Sequence, residues 1–386
     1  MIEGSMISRR LALTLPISLP LARSATPSFF TVGNTNERRF LKTPAGREYF
    51  SIGMNHIDSA PFRATESWSR DFLSDNRRWL RQVREDLVSW GFNTVGWVQE
   101  YVVINDRHHR HSRSFVPEEY AWLGLPFCHM PPFLEAHGWE IETRLPKVDS
   151  AEFAEWCDYV ARDHCARLRD ETHLIGYFFS DVPAWVQTTP LNRWRGTLLD
   201  PDLNKSPSGQ TEMFRLASAY YRTIHEAIRR YDPRHLILGD RYNLQGELPE
   251  PIVRAALPYV DVLSFQDFSA PAYIEANLRL WAERTAKPVL LADSANWTKP
   301  FAAGWPPRED RQHDVPAYRD LLRRLVRIPS CVGVHLCGAY VKNNARRYGF
   351  RTSDNGLEPH VAGIAAANRG VLEEYRSLQP SRGTSR

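Results

Sequence analysis

At 386 residues, with 42% hydrophobic and 12% aromatic content, the chain is too long for a minimal domain and can bury one large core. Its formal charge of +4 comes from 49 Lys and Arg against 45 Asp and Glu, and the arginines are scattered, so a nucleic-acid partner is not implied. The five cysteines (Cys128, Cys157, Cys165, Cys331, Cys337) show no CxxC spacing and read as small buried hydrophobes rather than disulfides or zinc ligands.

The N-terminal stretch "MISRRLALTLPISLPLARSATPS" places Arg9-Arg10 before an apolar run and small residues at Ser24 and Ala25. That is the layout of a twin-arginine export signal and predicts a periplasmic or secreted protein. Its length and internal prolines argue against a membrane span. Residues 1–26 are therefore read as a tag remnant plus leader, 27–378 as the folded domain and 379–386 as a disordered tail.

"RFLKTPAGREYFSIGMNHID" reads as two strands around a Pro-Ala-Gly turn, the second running from residue 49 to 54. Trp79, Val83, Leu87 and Trp90 recur at helical spacing before Gly91, and "NTVGWVQE" follows as a strand. "LGLPFCHM" is the third strand, after an insertion. A helix over 151–170 leads into "HLIGYFFSD", and one over 211–231 into "HLILGDRY". "PEPIVRAALP" precedes "VDVLSFQD", "PAYIEANLRLWAERTAK" precedes "PVLLADSANW", and "DVPAYRDLLRRLVRIP" precedes "CVGVHLCGAY". A last helix covers 358–375.

Apolar strands separated by amphipathic helices imply a parallel sheet covered by helices. Eight such units predict an α/β fold, a (β/α)8 barrel of the TIM type. An open doubly wound sheet is disfavoured because no Gly-rich phosphate turn follows the first strand. The polar segments 60–75, 105–119, 187–210 and 296–312 are read as insertions on the face where barrels build their sites. Within them, "NDRHHRHSR" is read as a solvated loop rather than a metal patch.

Barrel chemistry gathers where strands end. Those ends carry Asn55, His56, Trp97, Gln99, Glu100, His129, Asp181, Trp185, Arg241, Gln266, Asp293, Trp297 and His335. Asp181 ends the fourth strand and Asp293 the seventh, across the mouth from each other. Glycoside hydrolysis needs two such carboxyl groups, with hydrogen-bonding side chains for hydroxyls and aromatic faces for sugar rings. Asp181 and Asp293 are the catalytic candidates, and the other eleven are candidates for substrate binding. For each Asp the plainer reading is a helix cap, and for Arg241 a structural ion pair with Asp240 or Glu100. Trp281, in mid-helix, reads as core. Neither cofactor nor metal is expected.

"FLKTPAGREYFSIGMNH", "GYFFSDVPAW", "PVLLADS" and "VGVHLCGAYVKNNARRYGF" together resemble the agarase-like members of the clan A glycoside hydrolases, over residues 40–368. The resemblance implies a TIM barrel that cleaves a poly- or oligosaccharide, such as a galactan, with retention. It also shows two departures. Where the family carries Asp-Asn-Glu, with Glu as acid/base, this chain has Ser180-Asp181-Val182, and Asp293 replaces the nucleophilic Glu. Two shorter carboxylates could widen the gap from a retaining ~5–5.5 Å toward an inverting ~6.5–9.5 Å. A non-catalytic carbohydrate-binding barrel is the alternative, and a barrel lyase or isomerase the third reading.

Overall fold

The structure, a computed structural model, describes residues 28–35, 38–63, 65–105, 108–134, 147–183, 185, 205–298, 309–344 and 346–378. Eight parallel strands close a barrel: β1 (Ser51–Met54), β2 (Thr94–Val95), β3 (Phe127–His129), β4 (Leu174–Asp181), β5 (Leu236–Asn243), β6 (Leu263–Gln266), β7 (Val289–Ser294) and β8 (Cys331–Leu336). One main helix follows each strand: α1 (Asn76–Ser89), α2 (Pro117–Leu123), α3 (Ala151–Leu168), α4 (Pro207–Tyr231), α5 (Glu250–Ala256), α6 (Pro271–Thr285), α7 (Val315–Leu325) and α8 (Val361–Ser377). The expected (β/α)8 architecture is present. The expected leader and tail lie outside the described residues. Among the described residues no helix is long and apolar enough to cross a membrane.

The sequence explains the helices locally. Asp75, Ser150, Ser206 and Asp314 each accept a hydrogen bond from a backbone N–H of the first turn, which satisfies one of the donors a helix start leaves unpaired. Trp79, Val83 and Leu87 form the buried stripe of α1, and Trp90 closes it before Gly91, whose φ is +76°. Trp281 is buried on α6, as its position in mid-helix suggested. All five cysteines are buried and free.

Inside the barrel, Ile175, Phe178, Leu236, Leu238, Val262, Leu290, Ala292 and Val332 pack into one cluster. A three-stranded antiparallel sheet (Thr31–Asn34, Arg39–Lys42, Glu48–Tyr49) adds Phe30 and Leu41 to it and closes the N-terminal end. The strand expected from 49 to 54 is thus two elements: Glu48–Tyr49 pairs with the plug, and the chain breaks at Phe50 before β1.

Two further expectations are corrected. The segment 105–119 is not simply an insertion. "NDRHHRHSR" helps to form a hairpin, Tyr101–Asn105 with His108–His111, and the helix of the second unit, α2, begins at Pro117. That helix is only seven residues long, too short to show a periodicity.

One glycine decides which side chains enter the barrel. In β5, Leu236 and Leu238 join the interior cluster while Ile237 packs outward. Strict alternation would send residue 240 inward. Gly239 instead takes φ +66°, and the β4–β5 register shifts on both sides of it. This bulge turns Asp240 toward the helices and Arg241 into the barrel. A Cβ on Gly239 would lie 2.9 Å from Val260 Cγ1, so side-chain space and backbone both require glycine. Gly239→Ala is expected to destabilise the fold by roughly 1–3 kcal/mol. A urea midpoint equal to that of the unaltered protein would show that the bulge imposes no constraint.

Candidate active site

Arg241 is fully buried at the C-terminal end of the barrel and reaches both expected carboxylates. Its Nη1 lies 3.0 Å from Asp181 Oδ1 and its Nη2 lies 2.7 Å from Asp293 Oδ2. The Asp181 contact is close enough for an ion pair, but its angles do not make a hydrogen bond. The Trp97 ring lies over the guanidinium at 4.8 Å, a cation–π contact that holds the fork in place.

Asn55 anchors the other edge of Asp293. Its Nδ2 donates to Asp293 Oδ1 at 2.7 Å and to the Ala292 carbonyl at 2.8 Å, while its Oδ1 accepts from the Trp97 backbone N–H. Those three bonds fix the amide orientation. The barrel closes tightly here. A Cβ on Gly96 would lie 2.1 Å from Asn55 Oδ1, and one on Gly53 would lie 2.4 Å from the His335 ring. His56 Nε2 stands 3.8 Å from Asp293 Oδ2, and its Nδ1 is 2.7 Å from the Gln99 carbonyl oxygen.

The two carboxylates sit in unlike fields. Burial raises both, since a low dielectric disfavours the charged form. For Asp293 the Arg241 guanidinium, His56 and Asn55 outweigh burial and hold it well below the usual carboxylate range. For Asp181 burial wins over Arg241, and the negative charge of Asp293 adds to it, so its pKa is raised. The two pKa values are therefore driven apart, Asp293 toward the ionised form and Asp181 toward the protonated one. His335 sits beneath them, hydrogen-bonded to Ser51, and burial with the Arg241 charge pushes it down to about 3, so it is neutral at ordinary pH.

Backbone strain marks the same place. His56 (φ +61°) and Val182 (φ +42°) are both left-handed without being glycine, and a β-branched residue rarely takes that conformation. The Val182 N–H donates to the Arg241 carbonyl at 3.2 Å, which ties the end of β4 to β5 beside Asp181.

Of the other expected site residues, some lie beside the carboxylate pair and some turn away from it. His129 uses both ring nitrogens on the helix side of the wall, toward Tyr120 and His164. Trp185 is buried against Tyr220 and Tyr221 and presents no open face for a sugar. The Trp97 ring is likewise covered on one face by Arg241. Trp297 is half-buried against His313 and Tyr348. Gln266 pairs in register with Asp293, and its buried Oε1 has no hydrogen-bond partner among the described residues. Gln99 bonds the Trp97 indole N–H, and Glu100 is held by Arg346.

One feature escaped the sequence reading, and one expected partner of Arg241 lies away from it. Arg346, ten residues beyond β8, bonds Glu100, Tyr348 and His56. Asp240, beside Arg241 but on the opposite side of the wall, accepts from Ser180, Tyr220 and Tyr221. Its adjacency to Arg241 suggested an ion pair; the bulge separates the two.

His56, Asp293 and Cys337 bring three potential ligand atoms within 4.8 Å of one another. The donor set does not suit a cation. Asp293 already neutralises Arg241, and burial keeps the Cys337 thiol protonated well above its ordinary range.

No protein-family model matches the chain, and no curated protein matches it in sequence. Its fold is similar to solved glycoside hydrolases. The agarase AgWH50C is 16% identical at TM-score 0.68, covering 90% of this chain and 64% of its own. A structure described as an exo-beta-agarase is 14% identical at TM-score 0.68, with 91% and 66% covered. A Streptomyces cattleya GH5_18 protein in complex with GlcNAc is 14% identical at TM-score 0.55, with 86% and 82% covered. The chain thus spans about two thirds of the length of the two agarases, and at these identities the likeness establishes the fold.

Asp240 gives a pH test of the wall. Burial raises it to about 6 despite its three hydroxyl donors. With an unfolded value near ~3.9, the fold favours the protonated acid. The stability that Asp240 contributes is therefore fully present below about 4 and is lost as pH rises through about 6, by on the order of 3 kcal/mol. Asp240→Asn should remove this loss, read as the difference between urea midpoints of variant and parent at pH 4.5 and 7.5. An unchanged difference at the two pH values would refute it.

Proposed function

We propose that the protein is a glycoside hydrolase acting on a poly- or oligosaccharide, with Asp181 as general acid/base and Asp293 as nucleophile. One observation carries the reading: two buried carboxylates on one guanidinium at the C-terminal face of the barrel, with their pKa values driven in opposite directions. A protonated acid can hand its proton to the leaving glycosidic oxygen. An ionised carboxylate, fixed by Asn55 and Arg241, can attack the anomeric carbon from the other face. Arg241 also makes Asp293 a good leaving group when water releases the sugar, because it stabilises the carboxylate that departs. The route is then retaining; with a wider gap Asp293 would instead activate water and the anomer would invert.

The likeness to agarases supports a galactan-type substrate, and the Arg9-Arg10 leader an exported protein. A carbohydrate-binding barrel without turnover is the second reading, favoured by one observation: Val182 stands where the agarase pattern has its acid/base.

Screening against agar oligosaccharides and aryl glycosides tests the reading. Hydrolysis should be detectable, with the same anomer in product as in substrate by proton NMR. Asp293→Asn should lower kcat by at least ~10³-fold. Bound glycan with no turnover in either protein would favour the binding barrel. The pH profile should be bell-shaped. Its alkaline limb reports loss of the Asp181 proton, and Asp181→Asn should abolish that limb along with most of the activity.

A further inference from the structure

His56 sits between demands that its Nδ1 cannot meet together. The Gln99 carbonyl oxygen, 2.7 Å away, is an acceptor and calls for a hydrogen on Nδ1. Arg346 Nη2, 2.9 Å away, is a donor only and calls for a lone pair there. The opposite ring nitrogen, Nε2, faces Asp293 Oδ2 at 3.8 Å. Each tautomer thus gives Asp293 a different neighbour. In the neutral ring, a hydrogen on Nδ1 leaves a lone pair on Nε2 pointing at an ionised carboxylate, which is repulsive. A bare Nδ1 accepting from Arg346 puts N–H on Nε2, facing the carboxylate, and sets its lone pair against the Gln99 carbonyl, a repulsion that the Arg346 charge has to offset.

Arg346 is built to decide the matter. It is buried, its Nε donates to Glu100, and its Nη1 donates to the Tyr348 hydroxyl at 2.9 Å. These contacts leave Nη2 aimed at the imidazole. His56 itself is held in left-handed backbone by its N–H to the Trp97 carbonyl and by the Tyr340 N–H to its own carbonyl. The ring itself is held by the contacts of its Nδ1 with the Gln99 carbonyl and Arg346. The gap of 3.8 Å to Asp293 is too long for a direct hydrogen bond and short enough for one hydroxyl to bond both groups.

We propose that Arg346 is a positioning residue that selects the Nε2–H tautomer of His56, so that His56 and Asp293 together grip one substrate hydroxyl beside the reacting carbon. The tautomer part stands on geometry alone; the hydroxyl part rests on the glycosidase reading.

The ring-nitrogen ¹⁵N shifts of the full chain test it, with His56 assigned by difference from His56→Gln. In the unaltered protein Nδ1 should be bare and Nε2 protonated; a hydrogen on Nδ1 there would overturn the proposal without any variant. In Arg346→Lys, which keeps a cation for Glu100 but loses the fork, the hydrogen should move to Nδ1 and bond the Gln99 carbonyl. The double variant Glu100→Gln/Arg346→Met removes the charge pair together and should show the same shift. An Nε2–H tautomer retained in either variant would refute selection by Arg346. Where the unaltered protein hydrolyses a glycoside, Arg346→Lys should lower kcat about tenfold to a hundredfold. A tautomer change without any hydrolysis in the parent would uphold the positioning role and overturn the glycosidase reading instead.

Discussion

A guanidinium with no solvent exposure can be kept in a protein interior only if carboxylates surround it, because desolvating a lone cation costs several kcal/mol. Arg241 meets that condition with two, Asp181 and Asp293, and the count of charges does the rest. One cation neutralises one anion. A second buried anion at the same fork would be left without a counter-charge, so it holds its proton. The opposite pKa shifts of the two acids follow from this arithmetic and from Asn55 and His56 both lying on the Asp293 side.

The surrounding backbone is arranged for that contact. Gly239 reverses the alternation of β5 so that Arg241 points inward, and Gly53 and Gly96 let His335 and Asn55 approach closer than a side chain would allow. His56 and Val182 hold left-handed conformations beside the two carboxylates. Outside the wall, Asp240 ties β5 to α4 and to Ser180 of β4, which fixes the strand pair that carries Arg241 and Asp181. Removing the guanidinium would leave buried charge behind, at a cost of about 3–5 kcal/mol.

Much of the barrel was legible because its strands are continuous apolar runs and its long helices show a stripe, as α1 and α4 do. The second unit was obscured where α2 follows a polar hairpin and is too short to show a period. At the site, Asp181, Asp293, Asn55 and Arg241 were legible from strand ends alone. Trp185 and His129 were not placed correctly, since a strand end says nothing about whether the next side chain faces the mouth or the helices. The Gly239 bulge is a case in point: the letters Gly-Asp-Arg do not reveal which of the two charges enters. Arg346 lies in a loop far from its partners in sequence, and only the fold brings it to Glu100 and His56.

One buried arginine drives the pKa values of two aspartates apart. Carboxyl ¹³C shifts of the aspartates, followed by NMR as pH is raised from 3 to 8 and assigned with Asp181→Asn and Asp293→Asn, read this directly. Asp293 should be ionised throughout, and Asp181 should titrate above the ordinary range near ~3.9. Two carboxylates titrating together close to that value would contradict it.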